Sequence, residues 1–249
     1  MTSVNNMGMM PREFRIGGVL GSTFNVYMKN IVPYTVVAGA VLLPVSIVLA
    51  FAVTSQDPAN PTGAFVGMGL GVLLSMILSP ISTAVILYSA FQDMRGKTAS
   101  LGEAISWALN RFLPLLFLGI VYALGVMAGF IALIIPGYIL MVMWAVAVPA
   151  CVVESSGPID SLSRSSELTK GYRWQILGIV LIFGVLSGLI GNIVQSLGAM
   201  GGVVSLMIVM IIWQGISQAF YSVLMAVMYH DLRTTKEGGD VNTIASVFD

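Results

Sequence analysis

The sequence is organised by six long apolar runs, at about residues 31–54, 63–91, 113–135, 137–153, 174–196 and 203–229. An α-helix rises about 1.5 Å per residue, so about 20 residues cross a ~30 Å hydrocarbon core. Five runs reach that length, and the fourth is short. Only 9% of the residues are charged, whereas soluble domains carry about 25%. The runs therefore predict an all-α membrane protein with six transmembrane helices.

The basic residues indicate how these spans are oriented. Every lysine and arginine lies before run one, between runs two and three, between runs four and five, or after run six: Arg12, Arg15, Lys29, Arg95, Lys97, Arg111, Arg164, Lys170, Arg173, Arg233 and Lys236. Basic loops stay in the cytoplasm. We therefore expect both termini there, with residues 1–11 disordered, 12–230 a single six-span domain and 231–249 a cytoplasmic tail.

Short segments before runs one, three and five have the apolar spacing of amphipathic helices, at residues 12–29, 100–111 and 158–170. Such helices lie in the membrane interface with the apolar face toward lipid. In the third segment that face would hold Ile159, Leu162 and Ser166. The fold class is thus six transmembrane helices with three cytoplasmic interfacial amphipathic helices. The three units resemble an internal repeat, although any cytoplasmic loop can carry such a helix.

Helix boundaries are marked by several side chains. Ser100 and Glu103 have the spacing of a capping box. Pro158 suits a first helical turn, and Gly171 suits a C-terminal stop. Pro80 and Pro149 lie inside apolar runs, where we expect them to kink their helices.

A stripe of small residues at every fourth position runs along the second span and begins with Gly63, Gly67, Gly71 and Ser75. Small residues let the backbones of membrane helices approach each other closely. Helix packing is therefore the favoured interpretation, and a ligand groove is the alternative.

The polar groups within the apolar runs are uncharged. No Asp, Glu, Lys or Arg lies in the middle of a run, which argues against proton-coupled transport. Amides are present in the fifth and sixth spans: Asn192, Gln195, Gln214 and Gln218. We expect them to hold helices together by hydrogen bonds, and a substrate site is the alternative.

Enzyme and metal signatures are missing from the sequence. The single histidine, His230, and the single cysteine, Cys151, cannot make up a set of metal ligands. No serine or cysteine nucleophile has a plausible histidine base, so we predict neither an enzyme nor a cofactor. The net charge of zero indicates no nucleic-acid partner.

Charged residues of alternating sign occupy the segment after the fourth span. Four of them are candidates for contact with a lipid headgroup or a partner: Glu154, Arg164, Lys170 and Arg173. Basic residues beside a membrane attract anionic lipids. The alternative is a solvated helix that only orients the neighbouring spans.

Several short motifs lie close together in the second half of the chain: IPGYI at 135–139, AVPA at 147–150, SLSRSSELTKG at 161–171 and Arg173-Trp174. This pattern resembles the six-helix bacterial membrane family that includes the YciC-like proteins and the membrane domain fused to some glycerophosphoryl diester phosphodiesterases. The resemblance implies a bacterial inner membrane. The phosphodiesterase catalytic domain is not in this sequence, so that activity does not carry over.

Two functions fit these residues. The first is a non-catalytic integral inner-membrane protein that interacts with lipids or organises a membrane partner, which would be another membrane protein or a second copy. The second is a transporter or channel for a neutral or lipid-like solute that uses the amides. A water-filled path between spans five and six would favour the second.

Overall fold

The computed structural model describes residues 14–54, 62–94, 100–154 and 156–237. The described part of the chain forms ten α-helices and no β-strand. In chain order they are α1 (Ile16–Lys29), α2 (Ile31–Thr54), α3 (Thr62–Met94), α4 (Leu101–Asn110), α5 (Phe112–Ala132), α6 (Ile134–Met143), α7 (Ala147–Glu154), α8 (Pro158–Thr169), α9 (Arg173–Met200) and α10 (Gly202–Glu237). The predicted disordered segment 1–11 lies outside the described residues.

Six stretches of the described chain are long and apolar enough to cross a membrane, with α6 and α7 together forming the fourth. This confirms the prediction of an all-α membrane protein with six transmembrane helices. The last helix, α10, continues to Glu237 and so extends into the segment that the sequence predicted as a tail. Its 36 residues correspond to about 54 Å, well beyond a ~30 Å hydrocarbon core.

The buried core lies toward one side, which we call the basic side: the side where α1, α4, α8 and the C-terminal end of α10 lie. Residues 82–92 of α3 and 222–229 of α10 are buried around their whole circumference. Phe91 packs edge-on against Tyr229, with ring centroids 6.3 Å apart. Toward the opposite side large apolar residues such as Phe65 and Leu189 are exposed. These exposed side chains suit contact with lipid tails, and the protein's own packing is concentrated on the basic side.

Helices α4 and α8 begin and end within one residue of the predicted bounds, whereas α1 begins at Ile16, four residues after the predicted start. The Glu103 backbone N–H donates to Ser100 Oγ at 3.2 Å, and the Ser100 N–H donates back to Glu103 Oε2 at 3.4 Å, which confirms the capping box of α4. Pro158 is in the first turn of α8. Gly171 has a φ of +94° just after α8, and this left-handed conformation favours glycine.

The fourth span is broken rather than kinked at Pro149. Regular α-helix stops at Met143 and resumes at Ala147, so Pro149 lies in the first turn of α7. Proline has no N–H to donate to the carbonyl four residues earlier, and its ring clashes with that carbonyl, so a helix tolerates proline best in its first turn. This is why the break precedes the proline. By contrast, α3 continues as one helix through Pro80.

Part of the small-residue stripe packs against α2. Gly67 and Gly71 are buried, and a Cβ added at Gly67 would lie 2.6 Å from Ala52 Cβ and 3.1 Å from Ala52 Cα. A Cβ at Gly71 would meet only the flexible side chain of Leu49. At Gly63 a Cβ would meet nothing within 4 Å, and Ser75 donates to the Val72 carbonyl of its own helix at 2.7 Å. Close contact is therefore limited to the middle of the predicted stripe.

We predict that Gly67→Ala lowers the thermal stability of the detergent-solubilised protein. The new methyl group would meet the Ala52 backbone, which cannot move aside, and such overpacking costs about 1–3 kcal/mol. Gly69→Ala is the matched control because a Cβ there would meet nothing within 4 Å. It should be neutral or stabilise the helix by up to about 1 kcal/mol. Equal unfolding temperatures for the two variants would contradict the α2–α3 contact.

Candidate functional site on the basic side

The break in the fourth span is covered by hydroxyl groups of α8. Ser165 Oγ donates to the Met143 carbonyl at 2.8 Å and accepts from the Val146 N–H at 3.2 Å. Thr169 Oγ1 also donates to the Met143 carbonyl, at 3.2 Å. Unpaired backbone groups cost several kcal/mol where water is excluded. Helix α8 therefore supplies hydrogen bonds that the broken helix cannot make itself.

This arrangement corrects the predicted orientation of α8. The sequence placed Ile159, Leu162 and Ser166 on a face toward the membrane interface. In the structure Ile159 is 59% exposed, Leu162 is buried, and Ser166 donates to the Leu162 carbonyl of its own helix. The buried face combines the apolar residues Leu162 and Leu168 with the hydroxyl groups of Ser161, Ser165 and Thr169. The physical reason is the break, because its backbone groups require hydrogen-bonding partners.

Beside this contact, charged residues of α7, α8 and α10 form what we call the ion-pair network. Arg164 Nε donates to both carboxylate oxygens of Glu154, at 2.8 and 3.0 Å, and Arg164 Nη2 donates to Glu237. Tyr229 Oη donates to Glu154 Oε1 at 2.8 Å. Arg233 donates to Tyr229 Oη at 3.3 Å and to Glu237 Oε2 at 3.1 Å. The network thus joins three helices through five side chains.

Arg164 is the centre of this network. Burial lowers the pKa of its guanidinium, but the hydrogen bonds and charges of Glu154 and Glu237 raise the pKa by more, so the net shift is upward. Arg164 therefore stays charged at every physiological pH. Its contact with Glu167, the alternative partner on the same helix, is longer, at 3.9 Å.

The predicted contact surface is therefore divided. Arg164 and Glu154 pair with each other and are partly buried, so their hydrogen-bonding groups are used within the protein. Lys170 is exposed at the end of α8, and Arg173 begins α9 beside Trp174, which is 83% exposed. The Lys236 ammonium donates to the Glu167 carbonyl.

The contact of Lys236 with the Glu167 carbonyl brings its ammonium to the end of α8, where Lys170 and Arg173 follow within six residues. The Nε atom of Arg173 is buried and has no hydrogen-bond partner among the described residues. We call Lys170, Arg173 and Lys236 the basic patch.

The predicted amides do not form one cluster. Gln214 Oε1 accepts from Ser46 Oγ at 2.8 Å, and Gln218 Nε2 donates to Thr83 Oγ1 at 2.9 Å, so both join α10 to neighbouring spans. Asn192 Nδ2 donates to the Gly188 carbonyl of its own helix at 2.8 Å, and Gln195 is exposed. The pair in α10 therefore holds helices together, while the pair in α9 lies on the surface.

The lone histidine and cysteine have structural surroundings. His230 Nδ1 lies 3.3 Å from Asp231 Oδ1, and Cys151 is buried. Within the described ranges, no three His, Cys, Asp or Glu side chains come together in a way that could hold a metal ion.

Three members of the ion-pair network were missed as site residues. Tyr229, Arg233 and Glu237 are spaced by four on α10 and so share one helical face. The sequence contained this signal, but the helix was predicted to end where its hydrophobicity ends. Extending it by two turns would have aligned these side chains.

No protein-family model matches this chain, and no curated protein or solved structure is similar to it. The resemblance described for residues 135–174 therefore stays a prediction.

We predict that Ser165→Ala destabilises the protein. The change leaves the Val146 N–H without a partner and removes one donor to the Met143 carbonyl, and an unpaired buried group costs about 1–3 kcal/mol. Ser163→Ala is the control because Ser163 is exposed on the same helix. Thermal unfolding in detergent measures both. A Ser165→Ala variant as stable as the control would mean that α8 does not support the broken span.

Proposed function

We propose that this protein is a non-catalytic integral protein of the bacterial inner membrane and that it binds anionic lipid headgroups through the basic patch. Its termini face the cytoplasm in this proposal. The observation that carries it is the contact of Lys236 with the end of α8, which places this lysine close to Lys170 and to Arg173 beside the exposed Trp174.

The division of the charges supports lipid binding. Arg164 and Arg233 are neutralised by carboxylates, whereas Lys170 and Lys236 are exposed. Each basic residue close to an anionic leaflet contributes about 1 kcal/mol of attraction. Tryptophan favours the level of the headgroups, so Trp174 suits a position beside bound lipid.

The hydrogen bonds of the glutamines in α10 favour this function over the transport of a neutral solute. Gln214 and Gln218 were the candidate substrate ligands in the sixth span, and each is hydrogen-bonded to another helix. Side chains used in this way support packing.

A partner that carries acidic groups would recognise the same basic patch. The lipid measurement below distinguishes that case.

The proposed orientation predicts which introduced cysteines react from outside the cell. In a Cys151→Ser background, we expect the Leu133→Cys and Ala199→Cys variants to react with a membrane-impermeant thiol reagent in intact cells. The Asn110→Cys and Ser163→Cys variants should react only after lysis. All four positions are exposed. Reaction of the Ser163→Cys variant in intact cells, or protection of the Ala199→Cys variant from the reagent, would contradict the orientation.

We predict that Lys170→Gln/Arg173→Gln/Lys236→Gln reduces binding of phosphatidylglycerol. The three charges together contribute up to about 3 kcal/mol in the absence of salt, and salt weakens this attraction. Native mass spectrometry of protein incubated with equimolar phosphatidylglycerol and phosphatidylcholine measures the ratio of the two adducts.

A second triple variant is the matched control. Arg15→Gln/Lys97→Gln/Arg111→Gln removes the same charge from other basic segments of the sequence and should keep most of the preference for the anionic lipid. An equal loss in both variants would indicate a diffuse basic surface. An unchanged ratio in the first variant would contradict lipid binding at the patch and favour a protein partner.

A further inference from the structure

A second feature of the basic side is a cavity of about 140 Å³ between α2, α3 and the start of α4. Its lining contains both polar and apolar side chains. Valine and isoleucine side chains are among the apolar ones, and the polar ones are Asn30, Tyr34, Ser89 and Asp93. Two lining residues, Pro33 and Leu101, are exposed, so the cavity can be reached from the protein surface.

Asp93 supplies the only carboxylate in the wall of this cavity. The Asn30 amide donates to Asp93 Oδ2 at 2.7 Å, and the Tyr34 hydroxyl donates to the same oxygen. Both donors are neutral. Among the described residues nothing donates to Oδ1, and no cation lies within ion-pair distance of Asp93. A partly buried carboxylate is stabilised by a cation, and the residues of this wall do not provide one in direct contact.

Lys29 lies close enough for its charge to act on Asp93, and its side chain is exposed. The cavity wall therefore carries the Asp93 carboxylate, and Lys29 directly precedes the lining residue Asn30. A zwitterionic headgroup carries the opposite pair of charges, an ammonium and a phosphate a few ångströms apart. Val37, Val85 and Ile86 complete the lining with apolar surface, which suits the carbon atoms of such a headgroup.

We propose that this cavity binds the headgroup of an ethanolamine phospholipid, with the primary ammonium on Asp93 and the phosphate toward Lys29. A primary ammonium brings N–H donors that can reach the free carboxylate oxygen. A choline headgroup has the same charges but no N–H donor and three additional methyl groups. The cavity therefore distinguishes between two zwitterionic lipids, whereas the basic patch does not. This proposal does not depend on the basic patch.

The test compares phosphatidylethanolamine and phosphatidylcholine with identical acyl chains as adducts of the delipidated full-length protein in native mass spectrometry. We expect a preference for phosphatidylethanolamine of about tenfold, which corresponds to ~1.4 kcal/mol. Asp93→Asn should bring the ratio of the two adducts close to one. Asp160→Asn is the control because it makes the same chemical change at an exposed carboxylate, and it should keep the preference.

A second variant leaves Asp93 in place, so the proposal stays testable where Asp93→Asn disturbs folding. Leu101 lines the cavity and is 49% exposed, so Leu101→Lys places an ammonium of the protein itself beside the carboxylate. This variant should lose the preference, whereas Leu101→Met should retain it.

Free ethanolamine is added in a separate arm to distinguish the source of the ammonium. If free ethanolamine at equal concentration does not displace phosphatidylethanolamine, the result supports a lipid ligand. Displacement would overturn the lipid ligand in favour of a soluble amine. Equal binding of the two lipids by the wild type, or a preference that persists in both Asp93→Asn and Leu101→Lys, would overturn the proposal.

Discussion

Hydrocarbon offers no hydrogen bonds, so a chain that crosses a membrane must pair its backbone polar groups internally. The fourth span meets this requirement in an unusual way, because its helix is interrupted ahead of Pro149, and the Met143 carbonyl and the Val146 N–H have no helical partners. Ser165 pairs with both groups. The position of α8 follows from these bonds. The ion-pair network depends on them in turn, since α8 carries Arg164 to Glu154 and Glu237.

The unequal packing of the two sides has a related cause. On the basic side α3 and α10 are enclosed by other helices, whereas toward the opposite side their large apolar side chains are exposed. Lipid tails are as apolar as leucine, so exposing these side chains costs little. Helices then stay together where small residues permit close approach, as at Gly67, or where polar side chains bond, as Gln218 does with Thr83. Burial alone does not hold this fold together.

The sequence allowed the spans and helix ends to be predicted because both depend on local patterns. Apolar runs of sufficient length mark a span, and the Ser100–Glu103 spacing marks a helix start. The packing face of α8 could not be predicted, because it depends on a break in a helix distant along the chain. Pro149 indicated a disturbance but not which backbone groups would lose their partners. The extension of α10 to Glu237 was missed because hydrophobicity identifies the membrane and not the end of a helix.

Glu154 and Asp93, two partly buried carboxylates of the basic side, illustrate how one residue class can have opposite environments. Glu154 receives two hydrogen bonds from Arg164, whose planar guanidinium also reaches Glu237; a lysine could not offer the same fork of donors. The charge of Glu154 is thereby used within the protein. Among the described residues, Asp93 accepts only from the neutral groups of Asn30 and Tyr34. Neutral donors satisfy part of the hydrogen-bonding capacity of a carboxylate but leave its charge uncompensated. Binding of an external cation is therefore electrostatically more favourable at Asp93 than at Glu154. A cationic ligand is therefore expected in the cavity and not at the larger cluster of charges.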